Sequence, residues 1–210
     1  MFNAWIIRIF LIVIFIIFGY NLVFIISTKT KNNQKKNNDS LNELSKRKTI
    51  APKIGIITLN IFIVVCCLYI FFYNYFIAFI PRLSYLLFAE PIQVIGFVFA
   101  ISGNITLNFS YRELGIYWEY PIDGKKKKQK LVKTGIYSKI RHPIYLSFYL
   151  ICGGMILILL DIILLILCII GSIGLYLQAL EEEKELNAYF GKDYEEYMKD
   201  TGRFFAKIKK

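Results

Sequence analysis

The chain has 210 residues, of which 56% are hydrophobic, and its formal net charge is +11. The apolar residues gather in runs of roughly 20, which suits a bilayer core of about 30 Å and excludes an ordinary soluble domain. The alternating pattern of a membrane barrel is not found, so we predict an all-α integral membrane protein. The four cysteines lie inside apolar runs, and their spacing predicts neither a disulfide framework nor a metal site.

Five apolar runs follow one another, and each is expected to form a transmembrane helix. They cover residues 5–26, 54–80, 91–110, 144–160 and 162–180. Asp161 alone separates the last two runs, so these two helices are expected to form an antiparallel hairpin. Gly96 and Gly103 in the third run predict close packing against a neighbouring helix.

Basic residues are concentrated in two segments. Residues 27–53 carry eight Lys or Arg against two acids, and residues 111–143 carry nine against three. Because basic loops stay cytoplasmic, the N-terminus is expected outside and the C-terminus in the cytoplasm. The lysine run 125–128 is expected to contact anionic membrane lipids and not nucleic acid. We divide the chain into N-terminal transmembrane helices with a basic loop, residues 1–110, and a catalytic region, residues 111–210.

A basic segment meets an apolar run at residues 131–145, LVKTGIYSKIRHPIY, which hold the only histidine of the chain. Pro143 disfavours a helical conformation for His142 and suits the first turn of a helix, so a helix is predicted to begin at Pro143. The free backbone N–H groups of that turn, next to Arg141, predict a site for an anion.

The predicted hairpin returns the chain to the same membrane face as Arg141. Gln178 and the acidic run 181–183 arrive there, followed by LNAYFGKDYEEY. Apolar and aromatic residues at spacings of three and four predict a cytoplasmic amphipathic helix that is broken near Gly191.

Together these segments resemble the isoprenylcysteine carboxyl methyltransferases, and in part the related phospholipid N-methyltransferases. The family pattern is roughly LVxxGxYxxxRHPxY, then EExxL, then FGxxYxxY, and it covers about the C-terminal half of this chain. The matching residues are Leu131, Val132, Gly135, Tyr137, Arg141, His142, Pro143, Tyr145, Glu182, Glu183, Leu186, Phe190, Gly191, Tyr194 and Tyr197.

The resemblance implies that S-adenosylmethionine is bound at the cytoplasmic end of the last helices and that a lipophilic or prenylated acceptor enters from the bilayer. It implies catalytic roles for Arg141 and Glu183. Arg141 and nearby backbone N–H groups are expected to hold the carboxylate of the cofactor. Acidic side chains are expected to bind its ammonium, sulfonium or ribose, and tyrosines are expected to contact its adenine or its cation. The residues expected to bind the cofactor are Tyr137, Arg141, His142, Pro143, Tyr145, Glu182 and Glu183.

Gln178 stands where members of the family commonly carry an arginine that orients a substrate carboxylate. Gln178 is therefore the predicted substrate-contacting residue, and the acceptor stays open between a prenylcysteine carboxylate and an amine. Two further functions stay open. One is a nicotinamide-dependent membrane reductase, because some membrane reductases share the RHPxY motif, and the other is a non-enzymatic lipid-binding scaffold. The expected membrane is the endoplasmic reticulum in a eukaryote and the plasma membrane in a prokaryote.

Overall fold

The computed structural model describes residues 2–33, 50–79, 88–115 and 130–207. The helices are α1 (Ala4–Asn33), α2 (Ile50–Phe79), α3 (Ala89–Leu114), α4 (Pro143–Leu159), α5 (Ile162–Phe190) and α6 (Lys192–Asp200), and a short 3-10 turn at Gly135–Ser138 precedes α4. No strand forms within these ranges, where one isolated parallel bridge joins Ile140 to Gly202. The predicted all-helical class is confirmed, and the lysine run 125–128 lies outside the described residues.

Four of the described helices are long and apolar enough to cross a membrane, in the segments Ala4–Ser27, Ile57–Phe76, Ala89–Leu114 and Ile162–Phe190. Helix α4 is also apolar but has 17 residues. At about 1.5 Å per residue it extends roughly 26 Å, slightly less than a hydrocarbon core of about 30 Å. The 29 residues of α5 extend roughly 43 Å, so its last turns can reach beyond the core. A fifth crossing, by α4, stays a prediction.

Helix α3 packs along α4 through small residues, and α2 packs along α5. A Cβ atom added to Gly154 of α4 would lie 2.5 Å from the carbonyl oxygen of Gly96 and 2.6 Å from the amide nitrogen of Ala100. A Cβ atom added to Gly103 would lie 2.8 Å from the carbonyl oxygen of Ser147. The close approach that was predicted for Gly96 and Gly103 is therefore confirmed.

Helices α4 and α5 form the predicted hairpin around Asp161. Leu160 ends α4 in a left-handed conformation with φ 51°. One carboxylate oxygen of Asp161 then accepts hydrogen bonds from the N–H groups of Ile163 at 2.7 Å and Leu164 at 3.0 Å. The other oxygen accepts a hydrogen bond from the hydroxyl of Tyr69 in α2. Because these bonds satisfy a buried carboxylate, the turn is stable and returns α5 to the end where α4 begins.

Buried asparagines join α1 to α3. Asn21 Nδ2 donates to the carbonyl oxygen of Asn104 at 3.1 Å, and Asn108 Nδ2 donates to Asn21 Oδ1 at 2.8 Å. The largest apolar core fills the space between the first five helices. Inside this apolar bundle the asparagine amides find their hydrogen-bond partners on the neighbouring helix, and these bonds hold α1 against the α3–α4 pair.

Candidate active site

Most of the predicted site residues lie at one end of the bundle, where the start of α4, the last turns of α5 and the segment after α6 meet. That segment runs beside the chain that precedes α4. The Arg141 N–H donates to the carbonyl of Gly202 at 2.9 Å, and the His142 N–H donates to the carbonyl of Arg203 at 3.0 Å. Gly202 N–H donates in return to the carbonyl of Lys139 at 3.1 Å. Backbone hydrogen bonds therefore hold distant parts of the sequence side by side.

Glu183 lies at the centre of the site and accepts hydrogen bonds from two arginines. Arg141 Nε donates to Oε1 at 2.9 Å, Arg203 Nε donates to Oε1 at 3.0 Å, and Arg203 Nη2 donates to Oε2 at 2.7 Å. The Glu183 side chain is 9% exposed. A carboxylate this buried is stabilised because two guanidinium groups replace the water that it loses.

Arg141 has partners beyond Glu183. Its Nη1 donates to the carbonyl of Met198 at 3.3 Å and to the carbonyl of Thr201. The guanidinium thus joins α5 to the end of α6, and in this structure it is not the open anion receptor that the sequence predicts. The backbone N–H of His142 is likewise bonded to the Arg203 carbonyl, so it is not open to an anion.

His142 caps the start of α4 and lies between two acids. Its Nδ1 is 3.6 Å from Glu182 Oε2, and its Nε2 is 3.3 Å from Glu183 Oε1. Nε2 is buried and lacks the geometry of a hydrogen bond to any described residue. The imidazole stacks on the ring of Tyr145 with centroids 5.4 Å apart and planes 5° apart. Its ring is therefore fixed by Tyr145 and by the two acids that face its nitrogens.

Glu182 forms a second polar group with Tyr145 and Gln178. The Tyr145 hydroxyl donates to Glu182 Oε1 at 2.5 Å, and Gln178 Nε2 lies 3.5 Å from the same oxygen. Gln178 is buried, and its Oε1 has no hydrogen-bond partner among the described residues. This part of the site therefore presents oxygen atoms that can accept hydrogen bonds from a ligand.

Tyr137 and Pro143 lie where they shape the site. The backbone carbonyl of Tyr137 accepts a hydrogen bond from the Tyr197 hydroxyl at 2.6 Å. Burial raises the pKa of the Tyr137 phenol and that of the Tyr197 phenol, so both hydroxyls stay protonated. Pro143 occupies the first turn of α4, as predicted. The structure thus brings Arg141, His142, Tyr145, Gln178, Glu182 and Glu183 together, with Tyr137 and Pro143 beside them.

Two residues of the site, Arg203 and Phe204, are not among those predicted to act there. Arg203 contacts Tyr176 as well as Glu183, with its guanidinium carbon 5.4 Å from the tyrosine ring centroid. The hydrogen bond to Glu183 raises the pKa of Arg203, so the guanidinium stays charged. Phe204 covers the site: its ring centroid is 6.1 Å from that of His142 and 5.3 Å from that of Tyr149. The sequence signal for this pair is a basic residue beside an aromatic one after α6.

Two small apolar pockets lie beside this site. One lies between α1, α2 and α4, and the other lies between α2, α4 and α5. They share Leu59, Phe62, Phe148 and Cys152. Tyr149 lines the second space and packs on Phe204, so apolar volume extends to the edge of the polar cluster. No group of three metal-ligating side chains is found in the part of the chain that the structure describes.

Comparisons with known proteins match the same region. A family model described as phospholipid methyltransferase matches residues 92–193. The protein-S-isoprenylcysteine O-methyltransferase of Saccharomyces cerevisiae is 32% identical over 121 residues, which are 57% of this chain and 51% of the yeast protein. The chain is similar over about half its length to an isoprenylcysteine O-methyltransferase. The resemblance noted in the sequence is thus confirmed, and this chain spans about half the length of its yeast relative.

The fold of that family is found here as well. A solved structure of a eukaryotic intramembrane Ras methyltransferase, an isoprenylcysteine carboxyl methyltransferase, aligns with a TM-score of 0.50 and 19% identity. The alignment covers 79% of this chain and 54% of that one. At this identity the likeness supports the helical fold alone, so the chemistry of the site has to be argued from its own residues.

Proposed function

We propose that this protein is a membrane-embedded, S-adenosylmethionine-dependent methyltransferase that acts on a lipophilic acceptor. The observation that carries the proposal is the buried Glu183, which is held by Arg141 and Arg203 beside His142. Phe204 and Tyr149 connect this cluster to a small apolar pocket. Such a cluster stabilises charges of both signs in a place from which water is largely excluded. A methyl donor that carries charges of both signs suits this polar cluster, and an acceptor with an apolar tail suits the apolar side chains beside it.

The residues present fit the cofactor. S-adenosylmethionine carries a carboxylate, an ammonium, a sulfonium, a ribose and an adenine, and this site offers guanidinium groups, carboxylates and aromatic faces. Gln178 Oε1, a buried polar atom without a partner among the described residues, is available to such a ligand. Arg141 is assigned to the carboxylate, Glu182 and Glu183 to the cationic groups or the ribose, and the stacked rings of His142 and Tyr145 to the base or the sulfonium.

When bound, the cofactor supplies a methyl group that is activated by its attachment to a sulfonium. The protein aligns the acceptor atom with that methyl in a water-poor site, and this alignment is its main contribution to the rate. A carboxylate acceptor needs no general base, because it attacks as the anion. An amine acceptor loses a proton, and His142 or Glu182 lies in the site to receive it.

The first candidate acceptor is the carboxylate of a prenylated cysteine, because the name of the yeast relative specifies isoprenylcysteine. The second is a phospholipid amine, which the arrangement around Gln178 favours. The unpartnered Oε1 of Gln178, near Glu182, accepts hydrogen bonds and suits a group that donates them. The apolar side chains that line the two pockets suit contact with a hydrocarbon tail of either acceptor.

We also propose the membrane arrangement. Helix α4 is a fifth crossing, the N-terminus lies outside, and the site faces the cytoplasm with the two basic segments. Helix α6 packs Tyr194 and Tyr197 inward and exposes Glu195 and Glu196, which suits an amphipathic helix at the membrane surface. The proposed division at residue 110 falls near the end of α3, and helices from both sides of it line the apolar pockets. The membrane is the endoplasmic reticulum in a eukaryote or the plasma membrane in a prokaryote.

The decisive experiment is calorimetric titration of S-adenosylmethionine into the detergent-purified chain. We expect micromolar binding that Glu183→Gln and Arg141→Ala abolish and that Lys139→Ala, a control at an exposed position, preserves. A folded wild type that binds NADPH and not S-adenosylmethionine would establish a nicotinamide-dependent reductase, and a folded wild type that binds neither favours a scaffold. Transfer of label from S-adenosylmethionine to a farnesylated cysteine or to phosphatidylethanolamine then decides the acceptor.

A further inference from the structure

One face of α6, together with Thr201 directly after it, contacts the candidate site. Tyr194, Tyr197, Met198 and Thr201 lie at spacings of three, four and seven residues, so they share that face. The carbonyls of Met198 and Thr201 accept hydrogen bonds from Arg141. Tyr194 and Tyr197 are buried on the same side, with ring centroids 5.9 Å apart.

The two tyrosines differ in their hydroxyl groups. The Tyr197 hydroxyl donates to the carbonyl of Tyr137 at 2.6 Å. The Tyr194 side chain is still more buried, with the residue 1% exposed, yet its hydroxyl has no hydrogen-bond partner among the described residues. A buried hydroxyl without a partner destabilises a fold. A group that is retained at such a cost calls for an explanation in terms of function.

The surroundings of the Tyr194 hydroxyl belong to the site. Burial and then the Glu183 carboxylate raise the pKa of the Tyr194 phenol, while the Arg141 guanidinium acts in the opposite direction. The hydroxyl therefore stays protonated and can donate a hydrogen bond. No described residue accepts a hydrogen bond from this hydroxyl, so its acceptor is sought in a ligand.

We infer that Tyr194 is a further cofactor-binding residue, whose hydroxyl donates a hydrogen bond to a polar atom of S-adenosylmethionine. One bound cofactor then satisfies two buried atoms that lack a hydrogen-bond partner in the described part of the chain: Gln178 Oε1 and Tyr194 Oη. The inference rests on the proposed function and extends the site from α4 and α5 to α6.

The test compares Tyr194→Phe with its matched control, Tyr197→Phe. Each variant loses one hydroxyl from a buried ring on the same helix face. Tyr194→Phe is expected to bind S-adenosylmethionine about tenfold more weakly, because one hydrogen bond to the ligand is lost. It should unfold at the wild-type temperature or above, because an unsatisfied hydroxyl is removed. Tyr197→Phe is expected to unfold at a lower temperature, because the Tyr137 carbonyl loses its donor.

Thermal unfolding and calorimetric titration together separate the outcomes. Wild-type affinity in Tyr194→Phe overturns the inference and leaves the proposed function standing. A lower unfolding temperature with unchanged affinity also overturns it, since the hydroxyl would then be structural. Absence of binding by the wild type refutes the proposed function and, with it, the role of Tyr194.

Discussion

Replacing Glu183 with glutamine tests whether the paired arginines depend on that carboxylate. The substitution keeps the size of the side chain but removes the charge and one of the two oxygens that accept from Arg141 and Arg203. The new amide NH2 group also faces guanidinium donors, so at least one of the three hydrogen bonds is replaced by an unfavourable contact. Arg141 keeps its bonds to two backbone carbonyls but loses its counter-charge.

The size of the effect follows from burial. The Arg141 side chain is 9% exposed and that of Arg203 is 28% exposed. Breaking a buried pair from one side costs about 3–5 kcal/mol, while the more exposed Arg203 contact contributes about 1 kcal/mol or less. We therefore expect Glu183→Gln to lower the free energy of unfolding by about 3 kcal/mol. At about 2–4 °C per kcal/mol for a chain of this size, the melting temperature falls by roughly 10 °C.

The assay is thermal unfolding of the purified protein in one detergent, without cofactor. Glu196→Gln is the matched control, because it makes the same change of charge at an exposed position on α6. Arg203→Gln should destabilise the Glu183→Gln variant less than it destabilises the wild type, because the contact between residues 183 and 203 is already lost in that variant. A melting shift in Glu183→Gln no larger than in the control would show that the charge cluster does not stabilise the fold.

Three further predictions concern the helical framework. Gly154→Val should prevent stable folding, because its Cβ would lie 2.5 Å from the backbone of α3. Gly153→Val, whose Cβ would meet nothing within 4 Å, should fold, and gel filtration of both variants checks this. Asp161→Ala should destabilise by about 1 kcal/mol or more through loss of the α5 cap, and Asp161→Asn by less, as measured by thermal unfolding. Asn104→Leu keeps the backbone carbonyl that accepts from Asn21 and removes the side-chain oxygen that lies 3.5 Å from Asn21 Nδ2. It should therefore cost about 0.6 kcal/mol, and a melting shift of several degrees would contradict this.

Local sequence determined the parts of the fold that could be predicted. Pro143 starts α4 because its ring suits a first helical turn, and Asp161 leaves room only for a tight hairpin. The break near Gly191 is also present: that residue has φ 55°, which glycine adopts without strain, and it separates α5 from α6. The grouping of Arg141 with Glu182 and Glu183 follows from the hairpin alone, since it returns α5 to the start of α4.

The contributions of the C-terminal segment could not be predicted in this way. Arg203 reaches Glu183 only because residues 201–203 pair with the chain before α4, and that pairing joins segments far apart in sequence. No local periodicity encodes such a contact. For the same reason the sequence left Arg141 with free donors, whereas the carbonyls of Met198 and Thr201 occupy one of its nitrogens.

The pairing of two arginines with one acid has a consequence for the proposed chemistry. If Arg141 were the only cation at Glu183, its transfer to the carboxylate of a bound cofactor would leave a buried charge uncompensated, at a cost of several kcal/mol. Arg203 contacts both oxygens of Glu183, at 3.0 Å and 2.7 Å, and so can keep that acid paired while Arg141 turns to the ligand. Arg203, which is not among the site residues assigned from the sequence, thus makes the predicted role of Arg141 energetically feasible.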